Sequence, residues 1–318
     1  MRFILLTISL LMRYFILFIV CLIISLNTAF SQQEKLLTHF MYDKMSVNPA
    51  TTGTEDGISS AMVYRNQWDK IVGAPNSAVF NLEANLNKFL IGGAGISFYH
   101  DAIGFIKQNN LILNYSLPFQ VREAGMFNVG LGLGIVNFGM DPDWITPSNN
   151  NNDILLPKAS SGTNLDLNLG LYWKSFKGYY VGISSTHINE PVIRSMNYVN
   201  KRHYFFVAGN RFVSLLGQGK DLELQTLVRS DLIKTAADIN MRYFHKNLFY
   251  AGITYRTTES VCFLAGFYPI KNVTLGYSYD LTTNGLNTVS RGSHELLFRY
   301  RYLIPDPPLE KSKHPRWL

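Results

Sequence analysis

The sequence predicts an all-β protein, a transmembrane antiparallel β-barrel of about fourteen strands preceded by a cleaved signal peptide. First, the 318-residue chain is 47% hydrophobic and 14% aromatic but only 16% charged, against about 25% charged in an average protein. Second, it is only mildly hydrophobic on average, because apolar residues alternate with small or polar ones. A large soluble β-protein would share that composition. Third, after residue 31 no apolar run approaches the roughly 18 residues of a membrane-spanning helix. Aromatic, charge-poor and alternating is the signature of strands with one face to lipid and one to a wet interior.

The N-terminus reads as a secretory signal. Arg2 and Arg13 flank apolar sequence, Tyr14 to Leu26 carries no charge, and Ala29 and Ser31 provide a small-residue exit. The segment from Met12 is already a complete signal, so Met1 and Met12 are both possible starts. A permanent anchor helix is the alternative; Arg13 and the small-residue exit argue against it. Cys21 follows Val20 rather than a small residue, which makes it a poor lipid-attachment site. Loss of residues 1–31 leaves a basic chain with one cysteine, Cys262, and hence no internal disulfide. The basic residues are spread along the chain without a cluster and read as ordinary solvated charge, with no nucleic acid implied.

The strands follow from period-two runs. Leu165, Leu167, Leu169, Leu171 and Trp173 fall on one face, and Asn164, Asp166, Asn168, Gly170 and Tyr172 on the other. Phe127 to Ile135 alternates with Asn128, Gly130, Gly132 and Gly134; Val273 to Leu281 alternates with Thr274, Gly276, Ser278 and Asp280. Such runs fall at 59–68, 77–87, 90–100, 108–119, 126–138, 163–174, 178–187, 202–213, 221–230, 235–245, 247–257, 260–268, 272–282 and 293–303. Lengths near ten suit a strand tilted by about 45° across a bilayer, and closure removes the edges that so many strands would expose. With a periplasmic N-terminus, connections after even-numbered strands are periplasmic turns. These are short, whereas 139–162, 188–201 and 283–292, after odd-numbered strands, are long. The Asn149–Asn152 run is polar loop in the first of these. The expected organisation is signal peptide 1–31, N-terminal periplasmic or plug segment 32–57, barrel 58–304 and periplasmic tail 305–318.

Little in the chain carries chemistry. Gly130, Gly132 and Gly134 lack the spacing and following helix of a nucleotide loop; glycine on a lumen face instead makes room for bulky neighbours or lets the sheet bend. His187, His203, His245 and His294 stand singly near strand ends and read as rim residues rather than metal ligands. No Ser-His-Asp, Cys-His or paired-carboxylate spacing is recognisable. No catalytic, cofactor-binding or metal residue is assigned.

One stretch is unusually dense. Asn48-Pro49-Ala50 starts a turn, Gly53 and Gly57 permit tight backbone, and the first strand places Met62 and Tyr64 on one face and Val63, Arg65 and Gln67 on the other. Arg65 and Gln67 therefore look into the barrel, where they can bond a plug, a loop or opposite strands. Trp68 suits the membrane-interface belt, and Gly73-Ala74-Pro75 makes a rigid outer turn. With these residues, "QQEKLLTHFMYDKMSVNPATTG", "YRNQW", "GAP", "GGAGISFYHDAIG" (Gly92, Gly93, Gly95, Asp101, Gly104) and "GSHELLF" at 292–298, which holds His294 and Glu295, the chain resembles the PorP/SprF family of the Bacteroidetes type IX secretion system. The likeness covers nearly all of the mature chain. It departs at Thr51 and Thr52, where such proteins often have an aromatic and Ala, and in the Pro- and Lys-rich tail.

The resemblance implies a non-enzymatic barrel in the outer-membrane lipid, with no cofactor and both termini periplasmic. It implies export or surface anchoring of large adhesins that carry a C-terminal sorting domain, often tied to gliding motility. The implied partners are those adhesins and the type IX translocon. Asn48, Pro49, Ala50, Arg65, Gln67, Trp68, Gly73, Pro75, Asp101, Gly104, His294 and Glu295 are the candidate partner-binding residues. The alternatives are a porin or hydrophobic-substrate transport barrel, and an outer-membrane lipolytic enzyme built around a serine.

Overall fold

The structure, a computed structural model, describes residues 35–87, 90–142, 156–246 and 248–305. The expected signal peptide, the Asn149–Asn152 run and most of the tail lie outside the described residues. The strands are β1 (Ile58–Asn66), β2 (Asn76–Asn85), β3 (Gly93–Ile103), β4 (Ile106–Val121), β5 (Gly125–Met140), β6 (Ser160–Ser175), β7 (Tyr180–Thr186), β8 (Val192–Ile193), β9 (Tyr198–Val199), β10 (His203–Phe212), β11 (Lys220–Ser230), β12 (Thr235–His245), β13 (Phe249–Arg256), β14 (Ser260–Phe267), β15 (Val273–Thr282) and β16 (Ser293–Tyr302). β8 and β9 form a small ribbon. The other fourteen close into an antiparallel barrel, each paired with its neighbours in sequence and β1 with β16. Each corresponds to one of the predicted runs. β1 ends at Asn66, two residues early, because Trp68 takes a left-handed φ of 52° that breaks the ladder.

Alternation sorts the side chains as the sequence predicts. In β6, Asp166, Asn168 and Tyr172 are buried toward the lumen, while Leu165, Leu169 and Leu171 are exposed. Leu131, Leu133 and Ile135 extend the exposed band on β5. Large aliphatic side chains facing outward around a closed barrel are the lipid-contacting surface. Among the described residues no helix is long and apolar enough to cross a membrane.

The two rims differ. One carries the turns 86–92, 122–124, 176–179, 213–219, 246–248 and 268–272 and is called the turn rim below. The other, the loop rim, carries the long connections 67–75, 141–159, 187–202 and 283–292 as well as three tight ones at 104–105, 231–234 and 257–259. Connection 187–202 folds back on the barrel: Ile193, in the ribbon, is buried against Val136 and Phe138 of β5. Gly162 of β6 makes way for it, since a Cβ there would lie 2.7 Å from the Ile193 side chain.

The barrel interior is occupied by the N-terminal segment. Residues 35–57 run through it as a 3-10 turn (Phe40–Tyr42), a short helix α1 (Lys44–Val47) and a second 3-10 turn (Pro49–Thr51). Phe40, Met41, Val47 and Ala50 form an apolar core with lumen-facing residues such as Tyr172, Phe205, Phe244 and Tyr250. Leu37 packs in a second cluster with Val63, Val79, Tyr99 and Leu297.

The face assignment makes a direct prediction. Leu133→Arg or Leu169→Arg, mid-strand on the outer face, destabilises the barrel by about 2–4 kcal/mol, whereas Phe119→Arg near the turn rim costs about 0–1 kcal/mol. Urea unfolding in lipid vesicles measures both. Equal losses at the two depths would show that the outward face is not ordered by membrane depth.

Candidate functional site: a luminal clasp and seat for the N-terminal segment

The charges that looked scattered in sequence meet inside the barrel. Arg65 is buried in the lumen as expected from its strand face, and so are Arg229, Arg242 and Arg256, which corrects the reading of the chain's other basic residues as solvated charge. The physical reason is pairing geometry: strands far apart in sequence are adjacent around a closed sheet, and their inward residues face one lumen.

Three of these arginines and three carboxylates form a chain of ion pairs along the loop-rim half of the wall. Arg229 reaches Asp238 at 2.7 Å, and Asp238 also takes Arg256 Nε at 3.2 Å. Arg256 continues to Asp280 at 3.3 Å. Arg65 bonds Asp280 at 2.7 Å and lies 3.3 Å from Glu295. Three guanidinium groups thus face three carboxylates, and the Glu295 end of the network, with Arg65, Asp280 and Arg256 beside it, closes on the N-terminal segment. Glu295 accepts the backbone N–H groups of Thr38 at 2.8 Å and His39 at 2.7 Å. Its Oε1 lies 2.6 Å from His39 Nδ1; a carboxylate only accepts, so that nitrogen carries the proton. Thr38 Oγ1 donates to Asp280 at 2.8 Å, and Arg65 Nη1 donates to Thr38 Oγ1 at 3.1 Å. Arg256 Nη2 donates to the Leu37 carbonyl at 3.2 Å. Residues 37–39 are therefore gripped through their main chain from both polarities.

The second contact is a seat of glycines. A Cβ on Gly130 would stand 2.1 Å from Ala50 N, and one on Gly170 would stand 2.0 Å from Asn48 Oδ1. Gly182 and Gly95 leave similar room beside Asn48 and Met45. Onto this smooth patch Asn48 docks, donating to the Leu171 carbonyl at 3.1 Å while its Oδ1 caps the 3-10 turn by accepting Ala50 N–H at 3.0 Å. Pro49 opens that turn with its φ already set. Ser184 donates to Val47 O at 2.7 Å and Ser116 to Thr52 O at 2.6 Å.

The third contact is at the turn rim, where the segment becomes β1. Gly53 N–H donates to Glu83 at 2.8 Å and Glu55 pairs with Arg299 at 2.5 Å. Burial pushes the Glu55 carboxyl up, but Arg299, Lys44 and Arg301 outweigh it and hold the group at about 2.

The expected site residues therefore divide. Arg65 and Glu295 join in the clasp, and Asn48, Pro49 and Ala50 sit in the seat. Gln67 is buried beyond the end of β1, its N–H bonded to Pro75 O at 2.9 Å. Trp68 stands in the β1–β2 connection, its N–H on Ser293 Oγ at 3.1 Å. Gly73 and Gly104 join two outer turns, Gly104 N–H donating to Gly73 O at 2.9 Å. Asp101 takes Ser77 Oγ at 2.6 Å on a separate part of the wall. His294 points away from the clasp and contacts Tyr277 OH at 2.7 Å. Sequence reasoning missed Thr38, His39, Asp238, Arg256 and Asp280. The available signal was a charged residue on the polar face of each of several apolar strands. Among the described residues no group of His, Cys, Asp and Glu side chains is arranged to hold a metal.

Breaking one partner of a buried ion network leaves an unpaired charge, at a cost of about 3–5 kcal/mol. Arg65→Ala therefore lowers the urea stability of the folded barrel by about that amount, and Arg65→Lys by less, since it keeps charge but not the planar fork. Gly130→Val leaves the strand intact but unseats Ala50. Trypsin then cuts at Lys35 or Lys44 in barrels that remain folded, while the native protein resists. Native resistance in Gly130→Val would show that the seat is not needed to hold the segment.

Compared with solved structures, the chain resembles "CymD monoaromatic hydrocarbon channel" at 11% identity and a TM-score of 0.51, covering 83% of this chain and 93% of that one. The Ralstonia pickettii toluene transporter TbuX follows at 9% and 0.46, covering 81% and 93%. The Acinetobacter baumannii outer membrane protein Omp33 stands at 7% and 0.45, covering 79% and 100%. At these identities the likeness concerns the fold alone. No curated protein matches in sequence. Residues 29–300 match the family described as type IX secretion system membrane protein PorP/SprF. With that match spanning nearly the whole barrel and its luminal segment, the chain belongs to the PorP/SprF family of type IX secretion system outer-membrane barrels.

Proposed function

We propose that this barrel is a non-enzymatic component of type IX secretion that supports export or surface anchoring of specific large adhesins carrying a C-terminal sorting domain, with the N-terminal segment held for partner engagement. In this reading residues 1–31 are removed as a signal peptide, the turn rim and the C-terminus face the periplasm, and the loop rim faces outside. The observation that carries it is the filled lumen. A passive porin or hydrophobic-substrate channel needs a continuous path, and here residues 35–57 occupy the interior and are tied to the wall by charge, backbone hydrogen bonds and close packing. Filling of this kind suits a protein that works through its rims and its luminal segment.

The competing reading, a porin or hydrophobic-substrate transport barrel, separates cleanly in planar bilayers. The purified native barrel conducts little, and deletion of residues 38–50 opens it. Steady conductance by the native protein favours the transport reading.

In the parent organism, Arg65→Lys and Gln67→Ala leave heat-modifiable barrel in the outer membrane, while the amount of cognate adhesin at the surface per folded barrel falls. A ratio equal to the native value in both variants and in the 38–50 deletion assigns the segment to scaffolding only. An epitope placed between β5 and β6 is reachable by antibody on intact cells and one after Leu318 is not; the reverse pattern overturns the orientation.

A further inference from the structure

The barrel wall is uneven in height, and the unevenness leaves one strand edge without a strand beside it. β5 and β6 pair along their whole length, from Gly125↔Ser175 to Met140↔Ser160. β7 is far shorter and pairs with β6 only from Leu169↔Ser185 to Lys174↔Tyr180. Residues 160–168 of β6 therefore rise at the loop rim with β5 on one side and, among the described residues, no ladder-paired strand on the other; β8 touches this stretch only through side-chain contacts such as Asn164 Nδ2 on the Val192 carbonyl at 3.1 Å.

Side chains stand in for the missing strand. Asn189 donates from Nδ2 to the Leu165 carbonyl at 2.7 Å and accepts the Leu167 N–H on Oδ1 at 3.1 Å, so one amide group plays the part of a neighbouring peptide. Ile188 N–H adds a bond to the Leu167 carbonyl at 2.9 Å. Further out, Ser195 Oγ donates to the Ser161 carbonyl at 2.8 Å. By period two, the peptide groups of Ser161, Thr163, Leu165 and Leu167 all point to this same edge. Between the caps, no described group bonds the Thr163 N–H. The edge has neither Lys nor Pro, the usual guards against strand pairing. Another protruding edge provides a contrast. β4 extends beyond β3, whose register stops at Gly93↔Ser116, and that overhang carries Pro118, which has no N–H to offer.

We propose that the exposed edge of β6 at residues 161–167 is a strand-addition site, on which an extended segment of the secreted adhesin pairs with the barrel and displaces the Asn189 side chain. This rests on the adhesin-handling role proposed above and names its mode of recognition. Main-chain hydrogen bonds to an open edge bind an extended polypeptide whatever its sequence, and the alternate side chains beside it add selectivity. Leu165, 69% exposed on the outward face, is the apolar contact available to such a strand. The occupant is a polypeptide rather than a lipid because an edge offers alternating donors and acceptors, which acyl chains cannot use.

Thr163→Pro tests this without touching the β5 ladder, since the N–H it removes points to the open edge. Thr163→Val is its control, keeping the N–H and losing the hydroxyl. The probe is the purified C-terminal sorting domain of the adhesin whose display requires the barrel, titrated on each variant in lipid nanodiscs. Thr163→Pro weakens binding about tenfold, the loss of one or two main-chain hydrogen bonds, and Thr163→Val binds as the native barrel does. Asn189→Ala, which removes the competing cap, binds at least as tightly as the native barrel. Equal affinity of the Pro and Val variants overturns strand addition and leaves the adhesin role standing. Loss of binding in Asn189→Ala alone makes Asn189 itself the contact and also overturns it. If deleting the barrel leaves every surface adhesin displayed, the adhesin role fails and this inference fails with it.

Discussion

The arrangement depends on how a buried carboxylate is neutralised. Glu295 has no exposed surface and sits in a lumen where an unpaired charge is costly. It is matched by Arg65 from β1, by the His39 ring and by two successive backbone N–H groups of the N-terminal segment. Three of its four donors come from that segment. Without residues 37–39 the wall loses these donors, and without Glu295 the segment loses its anchor. β1 and β16 are also the two strands whose pairing closes the barrel, with Arg65 and Glu295 directly opposite in register. The luminal contact and the closing seam are one structure.

Shape does at the seat what charge does at the clasp. β5, β6 and β7 present glycines where the segment passes: Gly130 lets the backbone of Pro49 and Ala50 lie on the strand, and Gly170 and Gly182 leave room for the Asn48 side chain. Asn48 is suited to this place because its amide both donates to a strand carbonyl and caps the turn that begins at Pro49. Gly130 of the β5 repeat is thus part of a docking surface and not of a phosphate loop, while Gly132 and Gly134 make room for Asn114 and the β4 backbone. At the other end of the lumen, the 187–202 connection folds its ribbon against Val136 and Phe138 and narrows the loop rim.

A barrel filled in this way differs in construction from one that is only closed in circumference. Its luminal charge balance holds a segment in place: Arg65, Arg256, Asp280 and Glu295 contact residues 37–39, and Asp238 and Arg229 extend the network along the wall. What remains for contact with other molecules are the rims: the mixed polar surface around Gly53 to Asp56 at the turn rim, and the overhanging β5–β6 hairpin at the loop rim. On the function proposed above, these rims are where a secreted polypeptide would be met.

The sequence by itself determined the class of the protein. Alternation such as Leu165 to Trp173 against Asn164 to Tyr172 requires a two-faced strand, and repeated fourteen times it favours closure, which leaves no strand edge unpaired. It also determined that Arg65 faces inward, because period two leaves no other choice beside Met62 and Tyr64. What Arg65 meets was not legible, because Asp280 and Glu295 lie more than two hundred residues away and become neighbours only when β1 closes on β16. The same holds for the glycines of β5 and β6, whose purpose appears only when Asn48 and Ala50 lie against them. The relative heights of β6 and β7 were equally hidden: alternation tells which way a residue faces but not where its neighbour stops. Facing is a local property set by backbone geometry, whereas partnership, register and strand overhang are set by the closing of the sheet.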